Sequence, residues 1–354
     1  MSTSERAAKE GRGDLFPVRT DFACSVCIAN YNGIDLIGPC IDSVLAQDFD
    51  LPVEIIVHDD ASSDDSVSFI RERYPTVKLI VGSENVGFCL SNNRMAEQAS
   101  GEYLLLLNND ATLRPDALKT LYSFASGQKT PGLLGLPEYD MRTGELLDVG
   151  HWSDLFLNAV PNLKRQRQEV GQIIGACLWV PRRLWKELGG FPDWFGSLAE
   201  ETYLCCLARL KGYSVTALCM SGFDHLAGGS FGGAKLVRGR MRTSYRRRAL
   251  AERNKSFVMY ICYPSPYLYL IFPLHLLMLA LEGAIVSCVK RDSTLWKQVY
   301  LNCMRELWTN RQKLKQHRRD AQRGATCGAG FFRCHTLTPH KLKMLMAHGL
   351  PRVE

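Results

Sequence analysis

Short apolar runs that stop at polar residues set the rhythm of this chain. Val53–Val57 stops at His58-Asp59-Asp60-Ala61-Ser62-Ser63-Asp64, and Leu104–Leu107 stops at Asn108-Asn109-Asp110. Runs this short and this apolar read as strands buried on both faces of a parallel sheet. Between them the apolar residues recur at helical spacing. Phe22–Ala29 reads as a first strand, Asp35–Gln47 as a helix, Val53–Val57 as a second strand, and Asp64–Arg73 as a helix with aspartates in its first turn. Asp64 itself suits an N-terminal cap. Val77–Val81, Gly87–Ala99, Tyr103–Leu107 and Pro115–Ala125 continue as strand, helix, strand and helix, the last with proline at its start. This alternation over residues 22–125 predicts a doubly wound parallel sheet, whose ligands bind at the carboxyl edge of the strands.

Further along, Gly132–Leu136 reads as a strand, and residues 138–170 as a long loop with a possible hairpin. Ile173–Val180 is a strand, Pro181–Leu188 a helix, and Leu198–Leu210 a helix opening on Glu200-Glu201. Tyr213–Leu218 is a strand ending before Asp224-His225. Four polar clusters are therefore delivered to element ends, where a metal ligand, a base and a nucleotide pocket can share one crevice. No internal repeat is visible.

The stretch Phe257–Val289 breaks the pattern. Tyr267–Val289 is long enough to cross a bilayer, but it contains Pro273, His275 and Glu282, and basic residues flank both ends without a clear asymmetry. The order basic–apolar–basic is expected to give an interfacial or shallowly inserted helix pair, with its cations on anionic headgroups. A buried core helix is the plain alternative.

Composition adds limits. With 46% hydrophobic and 22% charged residues the chain is a folded protein, and its 354 residues allow one large domain with an extension, or two domains. The net charge of +7 is local. One basic stretch holds Arg238, Arg240, Arg242, Arg246, Arg247, Arg248, Arg253 and Lys255; another holds Lys313, Lys315, His317, Arg318, Arg319 and Arg323. Such stretches meet phosphorylated substrates, anionic lipid or nucleic acid. Nucleic acid is not expected, because the cations are not interleaved with stacking aromatics on a recognisable module. The thirteen cysteines have no zinc-like spacing and suit a reducing compartment. Met1–Arg19 has no apolar core of a secretory signal, so a cytoplasmic active domain is expected.

In order and spacing the clusters resemble those of the family 2 glycosyltransferases, and particularly their rhamnosyltransferase-like members. The resemblance covers roughly residues 22–260. It rests on Val26–Asn32, His58–Asp64, Asn85-Val86-Gly87-Phe88 with Asn92-Asn93, Leu104–Asp110, Gly175-Ala176, Gly189-Gly190-Phe191 and Glu200-Glu201. It implies an α/β, GT-A-like fold, a doubly wound and mostly parallel sheet followed by a helical membrane-associating C-terminal region. The implied organisation is a flexible lead (1–20), a transferase domain (21–255) with a nucleotide half (21–130) and an acceptor half (131–255), a membrane-associating region (256–330) and a tail (331–354).

The resemblance further implies a nucleotide-sugar donor, dTDP-rhamnose or a UDP-hexose, and a glycan or lipid-linked acceptor in cell-surface polysaccharide synthesis at the cytoplasmic face of the membrane. Tyr31, Asp59, Asp60, Asn93, Asn108 and Asn109 would line the nucleotide site. Asp110 and His225 would hold Mg²⁺ or Mn²⁺; Asp110 is a hard oxygen donor at a strand end, suited to such an ion. Glu201 would be the base of an inverting transfer, which needs one carboxylate, with Glu200 the lesser candidate. Two positions depart from the family pattern: Asn108 stands where an aspartate is common, and Tyr203 where a second acid is common. A nucleotidyltransferase is disfavoured because Ala29–Gly33 carries no cation, and a dinucleotide-dependent dehydrogenase because no G-x-G-x-x-G follows the first strand. A non-catalytic membrane protein would leave the ordered acidic clusters without a role.

Overall fold

The computed structural model describes residues 21–166, 168–226, 235–237, 240–348 and 352–353. The expected lead 1–20 and Arg238 of the basic stretch lie outside the described residues. The first half follows the sequence rhythm closely: β1 (Cys24–Asn30), α1 (Ile34–Leu45), β2 (Val53–Asp59), α2 (Ser66–Arg73), β3 (Lys78–Val81), α3 (Phe88–Gln98) and β4 (Tyr103–Asn108). Side chains alternate across the strands as a pleated backbone requires. Val26, Ile28, Leu105 and Leu107 join the core on one side of the sheet. Cys27, Leu104 and Leu106 join the core on the other. A strand buried on both faces has no polar stripe, so these runs are continuously apolar.

The chain continues through β5 (Ala111–Leu113), α4 (Ala117–Ser126), β6 (Leu133–Gly135), β7 (Glu138–Asp140), β8 (Leu146–Asp148), β9 (Trp152–Asp154), β10 (Ala159–Val160), β11 (Cys177–Pro181), α5 (Arg182–Leu188), α6 (Glu200–Leu210), β12 (Val215–Ala217) and β13 (Phe223–His225). Seven strands form the main sheet in the order β12-β6-β11-β4-β1-β2-β3. All neighbours run parallel except β11, which is antiparallel to both β4 and β6. The doubly wound expectation therefore holds with one reversed strand. A second sheet, β5-β13-β7-β8, stands at the carboxyl end of β4.

Residues 138–170 are more ordered than a loop. Glu138–Asp140 pairs antiparallel with Leu146–Asp148, and Trp152–Asp154 with Ala159–Val160. These strands are two or three residues long, too short for a period of two to register in the sequence.

Beyond β13, α7 (Tyr245–Cys262) runs straight through the expected boundary at 255/256. It is followed by α8 (Tyr267–Lys290), a helical segment over residues 293–309 that is π-helical at Trp296–Leu301, and α9 (Arg311–Gln322). The described part of the expected tail packs onto the body. Phe331 and Cys334 are buried, His335–Thr336 pairs with β9, and Lys341 makes a 2.6 Å ion pair with buried Glu252.

Candidate active site

The carboxyl edge of β1, β2 and β4 is a hydrogen-bonded lattice. Asn30 Nδ2 donates to Asp59 Oδ2 at 2.9 Å, and Asn109 Nδ2 donates to Asn30 Oδ1 at 2.8 Å. Gly33 lies against this lattice; a Cβ there would fall 2.3 Å from both the Asn109 amide nitrogen and the Asn30 oxygen, so only glycine fits. Asp59 also accepts from the amide and hydroxyl of Ser62 at 2.9 and 2.7 Å. Asn32 and Ser62 tie the two loops together: Asn32 N donates to Ser62 Oγ at 2.9 Å, and Ser63 N to Asn32 Oδ1 at 2.8 Å. Asp64 caps two helices at once, accepting from Ser66 N of α2 at 3.1 Å and from Ile34 N of α1 at 3.0 Å. Asp60 reaches the next loop, where Val86 N and Gly87 N each donate to one of its oxygens at 2.8 Å.

At the end of β4 the second sheet brings three side chains into line. His225 Nε2 lies 3.1 Å from Asp110 Oδ1, and His225 Nδ1 lies 2.6 Å from Glu138 Oε1. All three are buried. Pairing of β13 with both β5 and β7 sets this alignment, since His225 is in register with Ala111 on one side and Asp140 on the other. Burial alone would depress the imidazole pKa. The two carboxylates outweigh it and hold the ring proton up to about 9.

The acid pair opens α6. Glu200 is buried with Oε2 unpartnered, while Glu201 is half-buried with the Thr202 hydroxyl 3.3 Å from its Oε1. Burial raises the pKa of both; the neighbouring Glu201 charge raises Glu200 further, and Arg247 offsets part of the rise. The turn before the pair is strained. Leu198 and Ala199 have φ of 73° and 66°, left-handed values that non-glycine residues adopt at a cost of about 1–3 kcal/mol each. A fully buried side chain holds this turn: Asn254 Nδ2 lies within hydrogen-bond distance of the carbonyls of Phe195 (3.2 Å), Ser197 (3.0 Å) and Leu198 (2.7 Å).

The acid pair and the end of β4 share one crevice. Asn108 N donates to Ala176 O at 3.0 Å, and a Cβ on the adjoining Gly175 would sit 3.9 Å from Glu201 Oε2. Asn108 Oδ1 is buried there without a protein partner.

The structure therefore joins Asp110 to His225, Asn109 to Asp59 through Asn30, and Glu201 to the strand end carrying Asn108. Tyr31 stands at the edge, 53% exposed. Asn93 is placed differently from the expectation. Its amide is engaged with the backbone of Phe191, accepting from Phe191 N at 3.0 Å and donating to Phe191 O at 2.8 Å. Side-chain chemistry did not distinguish a ligand amide from a loop clamp. Arg253 donates to Phe195 O at 2.9 Å and helps hold the turn before the acid pair.

One residue at this end of the sheet was not singled out in the sequence. Glu138 follows the apolar run Gly132–Leu136, the same signal that marked the other clusters, but it was absorbed into the supposed loop.

A mixed, mostly parallel α/β sheet with a small second sheet, an acid and a histidine at the strand end and an acid pair across the crevice defines a GT-A-type transferase fold. Residues 25–178 match the model of Glycosyl transferase family 2. Among curated relatives, the uncharacterised glycosyltransferase YibD of Escherichia coli is 34% identical over 104 residues, 28% of this chain and 30% of that protein. The poly(ribitol-phosphate) beta-glucosyltransferase of Bacillus spizizenii is 32% identical over 116 residues, 31% of this chain and 18% of that protein. The matched segments thus span less than a third of these relatives. GalNAc-T7, solved with UDP, GalNAc and Mn²⁺, superposes with a TM-score of 0.57 at 13% identity over 84% of this chain and 58% of that one. Residues 1–349 of Staphylococcus aureus TarS superpose with a TM-score of 0.51 at 16% identity, over 85% and 89% of the two chains. These structural likenesses show the fold.

Proposed function

We propose that this chain is an inverting glycosyltransferase that moves a sugar from a nucleoside-diphosphate donor to a glycan or lipid-linked acceptor hydroxyl. The observation that carries the reading is the shared crevice, with Glu201 reached through Gly175-Ala176 from the end of β4 that bears Asn108 and Asp110. An in-line displacement needs a base on the acceptor side and charge neutralisation on the leaving-group side, and these two groups of residues supply them.

Glu201 accepts the acceptor's proton. Burial raises its pKa above that of an ordinary glutamate, which strengthens it as a base. Glu200 is more buried and has no donor for Oε2, and burial with the neighbouring Glu201 charge raises its pKa above the ordinary glutamate value. Asn108 Oδ1 is an open acceptor for a donor hydroxyl, and exposed Tyr31 offers a face to the base. Asp59 and Asp60 shape the base pocket through the loops they hold.

The residues at the strand end fit a divalent cation. Asp110, a hard carboxylate oxygen, and His225 Nε2, 3.1 Å from it, are the residues that would hold it. Glu138 accepts from the other ring nitrogen and orients the ring, so that Nε2 would face a cation once its own proton is displaced. Among the described residues no group of three or more His, Cys, Asp and Glu forms a closed cage, so diphosphate oxygens would complete the shell. A cation held there would neutralise the charge developing on the leaving diphosphate. The titles of solved neighbours, with UDP and Mn²⁺ on GalNAc-T7 and UDP-GlcNAc on TarS, support this ligand class. Within it, dTDP-rhamnose and UDP-hexoses are the donors we favour, and surface polysaccharide assembly the setting.

The test is thermal stability with UDP, dTDP, GDP and CDP, each with and without Mg²⁺ or Mn²⁺, followed by donor turnover. A ligand that binds only the folded state must raise the melting temperature. A metal-dependent shift with one nucleotide, lost in Asp110→Ala, is expected; no shift with any of them overturns the reading.

A further inference from the structure

Helix α8 is built inside out. Its exposed positions from Tyr269 to Val289 are Tyr269, Leu270, Pro273, Leu274, Leu277, Met278, Leu281, Ala284, Ile285, Cys288 and Val289, and none is polar. The spacing of one and three residues draws a single ridge along the helix, roughly 30 Å long at 1.5 Å per residue. Leu270, Leu277, Ile285 and Val289 are each more than half exposed. An apolar strip of this length is far beyond the isolated exposed leucines of an ordinary surface.

The polar residues of α8 point inward. Glu282 accepts from Arg248 at 2.6 Å and from the Tyr300 hydroxyl at 3.0 Å, and pairs with Lys341 at 2.6 Å. His275 Nε2 lies 2.8 Å from the Ser256 hydroxyl. Gly283 lets the helix press on Tyr300 and Trp296, where a Cβ would come within 2.5 and 2.8 Å. Although α8 is long and apolar enough to cross a membrane, crossing would strip Glu282 of three donors inside hydrocarbon. The helix can dock on a bilayer only while it stays packed on the body.

Cations flank the ridge. At its N-terminal end a cavity of about 620 Å³ opens between α8 and α9, lined by Tyr269, Phe272 and Pro273 on one side and Lys315 and Arg319 on the other. Arg318, also in its wall, already serves the carbonyls of Tyr260 and Tyr263 at 2.8 and 2.7 Å. Exposed Arg291 and Lys297 follow the other end. A second copy of the chain, in either orientation, would set basic ends against basic ends. An anionic bilayer meets the apolar ridge and the cations together.

We infer that the α8 ridge is a monotopic docking surface for an anionic lipid bilayer, with a lipid phosphate seated between Lys315 and Arg319. This deepens the lipid-linked acceptor of the proposed function and rests on that reading. The same helix joins this surface to the acceptor side. On α9, Lys313 sits 4.6 Å from the Trp194 ring, and the His317 ring lies tilted against it at 5.4 Å, next to the Phe195–Leu198 turn. The acceptor loop thus stands about one helix diameter, ~10 Å, from the headgroup cavity.

The test is flotation of the full chain with vesicles of phosphatidylcholine containing phosphatidylglycerol, and of phosphatidylcholine alone. The chain is expected to float with the anionic vesicles. Leu274→Glu/Leu277→Glu/Leu281→Glu, all at exposed positions, should stay in the soluble fraction with an unchanged melting temperature. Lys315→Glu/Arg319→Glu should lower binding to the anionic vesicles about tenfold or more and leave the neutral ones unaffected. No flotation of the unaltered chain, or equal flotation of the triple variant, overturns the inference. A dimer in light scattering that the triple variant dissolves, without flotation, assigns the ridge to a second copy. Nucleotide-dependent thermal shifts measured without vesicles separate the two readings: flotation lost with shifts intact sinks the docking alone, and the reverse sinks the transferase.

Discussion

The two acidic pairs of this molecule, Asp59-Asp60 and Glu200-Glu201, look alike in sequence and live opposite lives. Asp59 and Asp60 are saturated by donors: the Asn30 amide, Ser62 and the backbone of Val86 and Gly87. Glu200 has an oxygen with no donor, and the side-chain donor to Glu201 is the Thr202 hydroxyl at 3.3 Å. Both pairs are largely removed from water, so the supply of donors separates them. An acid ringed by hydrogen-bond donors holds loops in place. An acid buried without donors is a proton acceptor.

Glu201→Gln breaks the comparison on its active side. A general base contributes roughly 10²–10⁴ in rate, so turnover should fall by about that factor while the nucleotide-dependent thermal shift persists. In the unaltered chain the rate should be lost as pH falls through the raised pKa of Glu201, at higher pH than an ordinary glutamate would give. Undiminished turnover in the glutamine variant would remove Glu201 from the mechanism.

Asp60→Ala breaks it on the structural side. Two amides lose their acceptor, each at about 1–3 kcal/mol when left buried and unpaired. The melting temperature should drop well before substrate affinity is considered, and chemical denaturation would give the loss directly. Asp60→Asn keeps one acceptor oxygen and should recover part of it. A variant as stable as the parent would show that Asp60 is not the loop's holder.

The sequence was clear where one run of residues meets one physical demand. The strands β1, β2 and β4 are buried on both faces, so Val26–Ile28 and Leu104–Leu107 had to be apolar throughout, and their ends followed. It was opaque where partners are far apart in the chain. Glu138 and His225 are 87 positions apart, and only the pairing of β13 with β7 brings them together. Asn254 likewise acts across 56 positions on Leu198. Asn93 shows the converse: a polar residue in a recognisable motif can be used up on its own scaffold. The ridge on α8 was legible as apolar spacing, but only packing reveals that His275 and Glu282 face inward and leave the apolar side out.

Glu138→Gln sharpens the contrast between acids that hold and acids that react. The change keeps shape and removes the charge that orients the His225 ring. Losing such a partner typically weakens metal binding by 10–100-fold. Mn²⁺ titration in the presence of the bound nucleotide should report a loss of that size. Equal affinity would leave Glu138 as packing only.

Glu200→Gln has the smallest expected effect and the most specific signature. Its folded-state pKa lies above the value of about 4.3 for an exposed glutamate. The native state therefore binds this proton more tightly than the unfolded chain, and the contribution to stability is full below that unfolded value. It fades as pH rises from there through the native pKa, by about 1.4 kcal/mol for each unit of difference. Glutamine does not titrate and keeps the shape of the protonated acid. The melting temperatures of variant and parent should thus nearly coincide near pH 4, and the variant should become the more stable as pH increases. Arg247 narrows the gap by favouring the charged form, so Arg247→Met should widen it. Parallel stability profiles for Glu200→Gln and its parent would mean that Glu200 is satisfied in solution, and the division between donor-rich and donor-poor acids would fail at the residue where it is sharpest.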